Sequence, residues 1–429
     1  MYRLMLLSLP LALAFAAPTA RAQSPYERDV AFALDELEKQ CGSFFATKSI
    51  DWKAVRKEFG ASAKSIKTDR EHLVLLTRLL ARLEDGHATV TATEKTKDVK
   101  WPDEPEPTGA GIFWCRSGKK ILLKSVWNEA AELGLQPGMQ VVKVDGKPVD
   151  KWLDARIAAF RDRYSFSTDH QAFFWTCHRG LAFPKGTRLE LELEKLDGKK
   201  KKCTLTYVQG KPGRWGPAVF PPNLETKGDI TFGLLKSGNA YVHVRRSPDD
   251  LPAQIDVALA AVGAAPGMVL DFRANSGGGF DHEDFMGRFV PAGEKLVGDV
   301  TYESRGPHPY GGKLVVLVDG TVLSAGETAS GVFKEDGRAY MLGESPTAGM
   351  SSQKTTIELP SGLFGLYVSV RSNKHRFNGG RGIEGIGVIP HELVAFEAKD
   401  LAAGVDTLIR RADELLAKFP ADKVPFKTR

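Results

Sequence analysis

Cysteine is scarce in this chain: 429 residues hold four (Cys41, Cys115, Cys177 and Cys203), with no CxxC pair and no cysteine–histidine cluster. That excludes a structural zinc site of the usual spacing. Four cysteines permit three full pairings, and spacing does not choose among them. Charge of one sign is also scarce. The formal charge is +6, falling to +4 without residues 1–22. A balance this mild does not read as a nucleic-acid footprint. The one basic run, "KLDGKKKKC" (195–203), has Asp197-Gly198 at its head and reads as a solvated hairpin turn. HExxH, Walker A, the dinucleotide fingerprint and the GxSxG elbow are all absent. No metal and no cofactor is expected.

Long apolar runs are missing except at the start, "MYRLMLLSLPLALAFAAPTARAQ". A basic Arg3, a short apolar stretch and the small-residue phrase "ARA" read as a secretory signal, cut after Ala22. The apolar stretch is shorter than the roughly 20 residues that span a bilayer. The expected mature protein is soluble, periplasmic or secreted, and has no stable membrane insertion. Oxidising surroundings then allow one or two disulfides. About 400 mature residues can bury several cores, so two or three domains are expected.

Residues 23–96 read as a helical domain. Ser24-Pro25 is a helix start, and "TDRE" (68–71) is a capping box leading into Leu73, Leu76, Leu80 and Leu83 at helical spacing. That helix is expected to end at Asp85-Gly86 with glycine as its left-handed cap, leaving His87 just beyond. "KDVKWPDEPEPTG" (97–109) reads as a linker. Residues 109–149 give strand, turn, strand, short helix, "QPGM" and a strand ending in Asp145-Gly146; "GTRLELELEKLDGKKKKCTLTYV" (186–208) is an alternating hairpin. This order resembles a PDZ domain over 97–210, with 151–185 as an insertion. Gly109, Ala110, Gly111 and Ile112 stand at its peptide-binding loop. Met139 occupies a position where such domains usually carry aspartate. From 211 to 429 buried strands alternate with helices, the pattern of a helix-covered sheet.

Two loops carry the candidate chemistry. "VLDFRANSGGG" (269–279) ends a buried strand in three glycines, which can bring bare N–H groups close to a ligand. "VDGTVLSAGE" (318–327) ends the next strand with Ser324 at a helix entrance, where N–H donors are free. A glycine N–H from the first loop and the Ala325 N–H from the second form a candidate oxyanion hole. Singly, each loop is unremarkable, because serine is a common helix cap; as a pair on adjacent strands they point to a nucleophile. "FDHEDF" (280–285) gathers His282 with three acids and reads as a polar helix rather than a metal site; "SSQK" (351–354) matches SxxK without its partner motifs.

These phrases, with "LARLEDGHATV" and "GIEGIGVIPH" in the same order, resemble the serine peptidase family of C-terminal processing (tail-specific) and tricorn-core peptidases, over residues 70–395. The resemblance implies an α+β multidomain protein: N-terminal helical cap, PDZ-like β domain, crotonase-like α/β catalytic domain. It implies a serine endopeptidase acting on peptides or unfolded proteins, with Ser324 as nucleophile and Gly277, Gly278 and Ala325 as oxyanion donors. Tail-specific members use a lysine in a "TxGK" phrase; here "PTAGM" puts Met350 in its place. Methionine has no basic lone pair to offer. The tricorn-like branch instead implies His87 as base and Glu384 behind it, although Gly86 stands where tricorn has a second serine. Imidazole is well suited as a base near neutral pH. Two alternatives stay open: Lys354 as base, and a non-catalytic protein binding an apolar ligand or peptide on the same fold.

Overall fold

The computed structural model describes residues 23–102, 107–109, 111–208, 216–298, 300–373 and 376–424. Residues 1–22, where a signal sequence is expected, and Ala110 lie outside the described residues.

Three helices open the chain: Pro25–Lys48, Trp52–Ser62 and Asp69–Ala81. Ser24 and Glu27 close a capping box at the first, with Pro25 at its first position, and Thr68 and Glu71 close another at the third. The third helix stops at Ala81, four residues before the expected Asp85. The left-handed residue is Glu84 (φ 48°), and Gly86 has no positive φ, so its glycine answers a different need. Leu76, Leu79, Leu80 and Leu83 are buried against Val30, Leu34 and Leu37 of the first helix. Each such side chain contributes about 1.5–3 kcal/mol by leaving water.

That helical core is completed from far along the chain. The hairpin Ser352–Glu358 and Phe364–Ser372 pairs with Thr89–Ala92 in a three-stranded sheet. Its apolar face, Ile357, Phe364, Leu366 and Val368, packs into the same cluster.

A six-stranded antiparallel sheet follows, ordered Ile112–Ser117, Lys120–Val126, Gln140–Val144, Arg188–Glu194, Lys200–Thr206, with Lys147–Pro148 beside the third. Asp197-Gly198 forms the turn of the last hairpin, with Gly198 left-handed (φ 79°). Met139 is buried in this sheet's core. Between the third and fourth strands run the helices Val149–Arg161 and Asp169–Cys177.

The largest sheet has seven strands: Glu225–Lys227, Ile230–Leu234, Ala240–Val244, Gly267–Asp271, Lys313–Val318, Tyr340–Gly343 and Glu392–Leu393. From Ala240–Val244 onward neighbours are parallel. Residues alternate between two cores, as a period of two requires. Val242, Leu270 and Val316 meet Ile255, Phe285 and Phe333 on one side. Tyr241, Val269 and Val315 meet Leu408 and Ala412 of helix Thr407–Ala417 on the other. Cys115 and Leu122 of the six-stranded sheet join that second core, so the two sheets share buried surface. All four cysteines are free thiols, so no allowed disulfide forms.

Candidate active site

Adjacent parallel strands Gly267–Asp271 and Lys313–Val318 end side by side, which brings the two candidate loops together at their carboxyl ends. Ligands bind at such ends in open α/β sheets. Asn275 ties the loops: its carbonyl accepts the Leu323 N–H (2.8 Å), and its Oδ1 accepts the Gly277 N–H (2.9 Å). Gly277 (φ 80°) lies so close that a Cβ there would sit 2.8 Å from Ser324 Cβ. Ser324 itself has φ 53° and ψ −123°, not the extended backbone of an ordinary N-cap. A non-glycine residue held at positive φ stores strain of about 1–3 kcal/mol. Helix Ala325–Glu335 begins immediately after it. Among the described residues no intramolecular acceptor takes the N–H of Ala325 or of Gly278, whereas that of Gly277 is occupied by Asn275.

Glu327, three residues after Ser324, organises the other side. Its buried carboxylate accepts the N–H groups of Ser324 (3.1 Å), Met350 (2.9 Å) and Gly349 (2.6 Å), and the Thr347 hydroxyl (2.7 Å). Burial pushes its pKa up to about 8, against the pull of those donors. Sequence reasoning passed over Glu327, although the S-x-x-E spacing in "SAGE" marks it.

Met350 is buried, and its sulfur accepts from Gln171 Nε2 (3.0 Å). A Cβ on Gly86 would lie 2.6 Å from that sulfur, so Met350 packs against the residue before His87. The His87 N–H donates to Asp85 Oδ1 (2.9 Å), and its Nδ1 stands 3.9 Å from the same oxygen without a hydrogen bond. Burial lowers the imidazole pKa to about 4; Asp85 opposes the shift, and Lys354 and Lys48 add to it. Asp85 is fixed in turn by the Ser369 N–H (2.8 Å) and hydroxyl (3.0 Å).

Glu384 is 3% exposed, and among the described residues it makes no hydrogen bond to the His87 ring. It pairs with Lys48 Nζ (2.8 Å) and accepts from Ser352 and from Ser167 (3.4 Å). Lys48 also donates to the carbonyls of Leu83 (3.4 Å) and Glu84 (2.7 Å). Burial raises the Glu384 pKa, with Lys48 pulling it down. Lys354 lies in the strand Ser352–Glu358, where its charge acts on His87.

Segment 151–185, unassigned by sequence reasoning, clamps these loops. Ser165 Oγ accepts the Asp85 N–H (2.8 Å) and Ser167 Oγ that of Gly86 (2.9 Å). Thr168 donates to Ala348 O (2.9 Å), and His170 Nε2 bonds Thr347 O (2.6 Å). A cleft of about 2080 Å³ runs from His87, Met350, Leu323 and Ser276 along this segment.

Elsewhere, Gly111 is left-handed (φ 70°) with its carbonyl accepting the Trp127 N–H, and Ile112 is buried beside a buried Gly109. His282 opens a short helix, His282–Gly287, whose Asp284 pairs with Arg288. No group of three or more His, Cys, Asp or Glu side chains among the described residues is placed to hold a metal ion. No helix among them is long and apolar enough to cross a membrane.

Residues 238–394, which include Gly277, Gly278, Ser324 and Glu384, match peptidase family S41, so the chain carries an S41 peptidase domain over that stretch. It is a homologue of a carboxyl-terminal-processing protease of Picosynechococcus sp., 24% identical over 398 residues that cover 87% of this chain and 86% of the relative. Mature CPAF complexed with lactacystin has a similar structure, with a TM-score of 0.66 at 13% identity over 92% of this chain and 98% of its own. A putative peptidase from Parabacteroides merdae gives 0.53 at 16% identity over 91% and 96%. At these identities the two structures establish the shared α+β multidomain fold.

Proposed function

We propose that this S41 peptidase is an exported serine endopeptidase that cleaves peptides or unfolded proteins through an acyl-enzyme on Ser324. In this reading a helical domain (23–96), a PDZ-like domain (97–210, with 151–185 inserted) and a crotonase-like domain (211–429) enclose the cleft. Ser324 Oγ attacks the scissile carbonyl while His87 takes its proton. The developing oxyanion is held by the N–H groups of Ala325 and Gly278, a pair whose single members are typically worth about 3 kcal/mol. The tetrahedral intermediate collapses, the C–N bond breaks, and the departing amine takes the proton from His87. Water, deprotonated by His87, then attacks the ester carbon and releases Ser324.

The observation that carries this reading is the strained Ser324, pressed against Gly277 at the entrance of a helix whose first N–H is free. Gly277 serves by its lack of a side chain, since its N–H is already donated to Asn275. Asp85 is the carboxylate beside the His87 ring, and Glu384 acts on His87 through Lys48 and Ser167, which hold the backbone of that loop. The left-handed Gly111 beside the edge strand Ile112–Ser117 supports peptide engagement around Gly109–Ile112.

The test is digestion of an unfolded protein by the mature chain. Ser324→Ala and His87→Ala are each expected to lower the rate by on the order of 10⁴-fold or more, and Lys354→Ala to leave most of it. Loss with Lys354→Ala but not with His87→Ala would transfer the base to Lys354. A silent wild type that binds an apolar ligand would favour the non-catalytic reading.

A further inference from the structure

The reacting end of the cleft takes up little of its wall. The largest single share of the remainder comes from segment 151–185, through Phe160, Tyr164, Trp175 and Phe183 with Arg156 among them. Phe160 meets Trp175 edge to face and Tyr164 meets it at a tilt, with ring centroids 4.5 and 4.7 Å away. An aromatic face of this kind accepts apolar side chains with little demand on their shape.

Arg156 is the odd member. Its guanidinium lies between the rings of Phe160 (4.5 Å) and Phe183 (4.2 Å), and its Nε and Nη2 both donate to Gly180 O (3.2 and 3.1 Å). Among the described residues no carboxylate pairs with it, and burial pulls its pKa down. On the same wall Arg245 is paired with Asp229. A cation fixed in a half-buried wall without a counter-ion is costly unless something supplies the charge. Guanidinium offers a planar fork of donors that fits a carboxylate, and two phenyl faces hold that plane in one orientation.

We propose that Arg156 is a specificity residue that binds a carboxylate of the peptide substrate, with the aromatic wall of 151–185 taking the apolar residues beside it. The proposal rests on the peptidase reading of the cleft and names its substrate class: peptides in which a carboxylate is flanked by aromatic or aliphatic side chains. The carboxylate has two possible sources, an acidic side chain or a free C-terminus, and both present the same chemistry to Arg156.

The experiment separates binding from cleavage. Full-length mature Ser324→Ala is titrated with fluorescent octapeptide mixtures rich in Phe and Leu. They carry Glu or Gln at each interior position in turn, and each is made with a free or an amidated C-terminus. A carboxylate paired with Arg156 should tighten binding by about tenfold or more. Arg156→Gln on the same background should erase that advantage while leaving the neutral peptides bound as before. Arg156→Lys, which keeps the charge, should retain part of it. The arm that shows the advantage identifies the source of the carboxylate. Equal binding of acidic and neutral peptides, or an advantage that survives Arg156→Gln, overturns the proposal. Thermal melting of each variant guards against a folding defect: if Arg156→Gln is unfolded, the Arg156→Lys comparison decides. Wild type digesting the same mixtures tests the peptidase reading separately, since carboxylate selectivity without cleavage would overturn that reading and leave this one standing.

Discussion

Lys48 and Glu384 form an ion pair at 2.8 Å, with side chains only 2% and 1% exposed, across 336 residues of sequence. Lys48 belongs to the first helix, and its other protons go to the carbonyls of Leu83 and Glu84, just before Asp85 and His87. The pair therefore joins the N-terminal helices, the loop bearing His87 and the S41 domain at one buried point.

Breaking such a pair leaves one charge buried without a partner, which typically costs about 3–5 kcal/mol. Lys48→Met should show that loss in urea unfolding and should also depress peptidase activity. The double variant Lys48→Met/Glu384→Gln, with no charge left, should recover stability by more than additivity predicts while activity stays low. Equal losses in the single and double variants would mean that the pair contributes packing rather than charge.

The His87 pKa, lowered to about 4, sets a pH profile. The ring stays neutral, and able to accept a proton, throughout the neutral range. kcat/KM should therefore hold its value below pH 6.5 and fall only as pH approaches about 4. Stability follows the same linkage. The unfolded chain protonates His87 near pH 6.5 and the folded chain only near 4, so between these values the unfolded state binds more protons and stability falls as pH falls. The full difference corresponds to about 3 kcal/mol. Urea unfolding of wild type and His87→Gln at pH 7 and at pH 4 should show wild type losing more by that order. An acid limb near pH 6.5 would contradict the buried, neutral ring.

Much of this arrangement was legible in the sequence because it is local. The helix start at Ser24-Pro25, the capping box at Thr68, the Asp197-Gly198 turn and the alternation of Val242, Leu270 and Val316 with Tyr241, Val269 and Val315 follow from period and propensity within a few residues. The two strand-end loops were also visible, since glycine runs and a serine before "AGE" are local patterns. What escaped depends on long-range contact. Nothing near residues 352–372 announces that this hairpin pairs with Thr89–Ala92, because a strand's partner is set by the fold and not by its own alternation. The end of the third helix escaped as well: Glu84 takes the left-handed position, and Gly86 is needed because Met350 occupies the space of its Cβ. Segment 151–185 reads only as an insertion, yet its Ser165, Ser167 and His170 reach loops about 80 and 180 residues away, and Ser167 also reaches Glu384.

Asn275 supports a prediction about geometry without touching substrate. Its Oδ1 holds Gly277, and its Nδ2 donates to Val244 O (2.9 Å). Asn275→Ala leaves the buried Gly277 N–H without its acceptor, which costs about 1–3 kcal/mol. The glycine loop should then shift against Ser324, and a misplacement of about 1 Å can lower kcat on the order of 10²-fold. KM should change little, because the aromatic wall lies on other elements. A fall confined to KM would mean that Asn275 serves substrate binding and not the placement of Gly278.

Gly86 and Met350 fill one volume between them, and that makes their substitutions interdependent. A serine in place of Gly86 has nowhere to put its Cβ, which would lie 2.6 Å from Met350 Sδ and 2.8 Å from Gln171 Nε2. The thioether cannot swing aside freely, since it is buried and held by Gln171. Gly86→Ser should therefore destabilise the protein by about 1–3 kcal/mol through overpacking and displace His87 with it. Met350→Ala opens a cavity of its own, at about 2–5 kcal/mol. Placed together, each substitution relieves the fault of the other: the serine enters the space that the thioether has left. The double variant should be more stable than the sum of the single losses predicts, by a coupling of about 0.5–3 kcal/mol, and should regain part of the activity lost in Gly86→Ser. Strictly additive losses in urea unfolding would show that residue 86 and residue 350 do not compete for the same space, and that the methionine is not what requires glycine before His87.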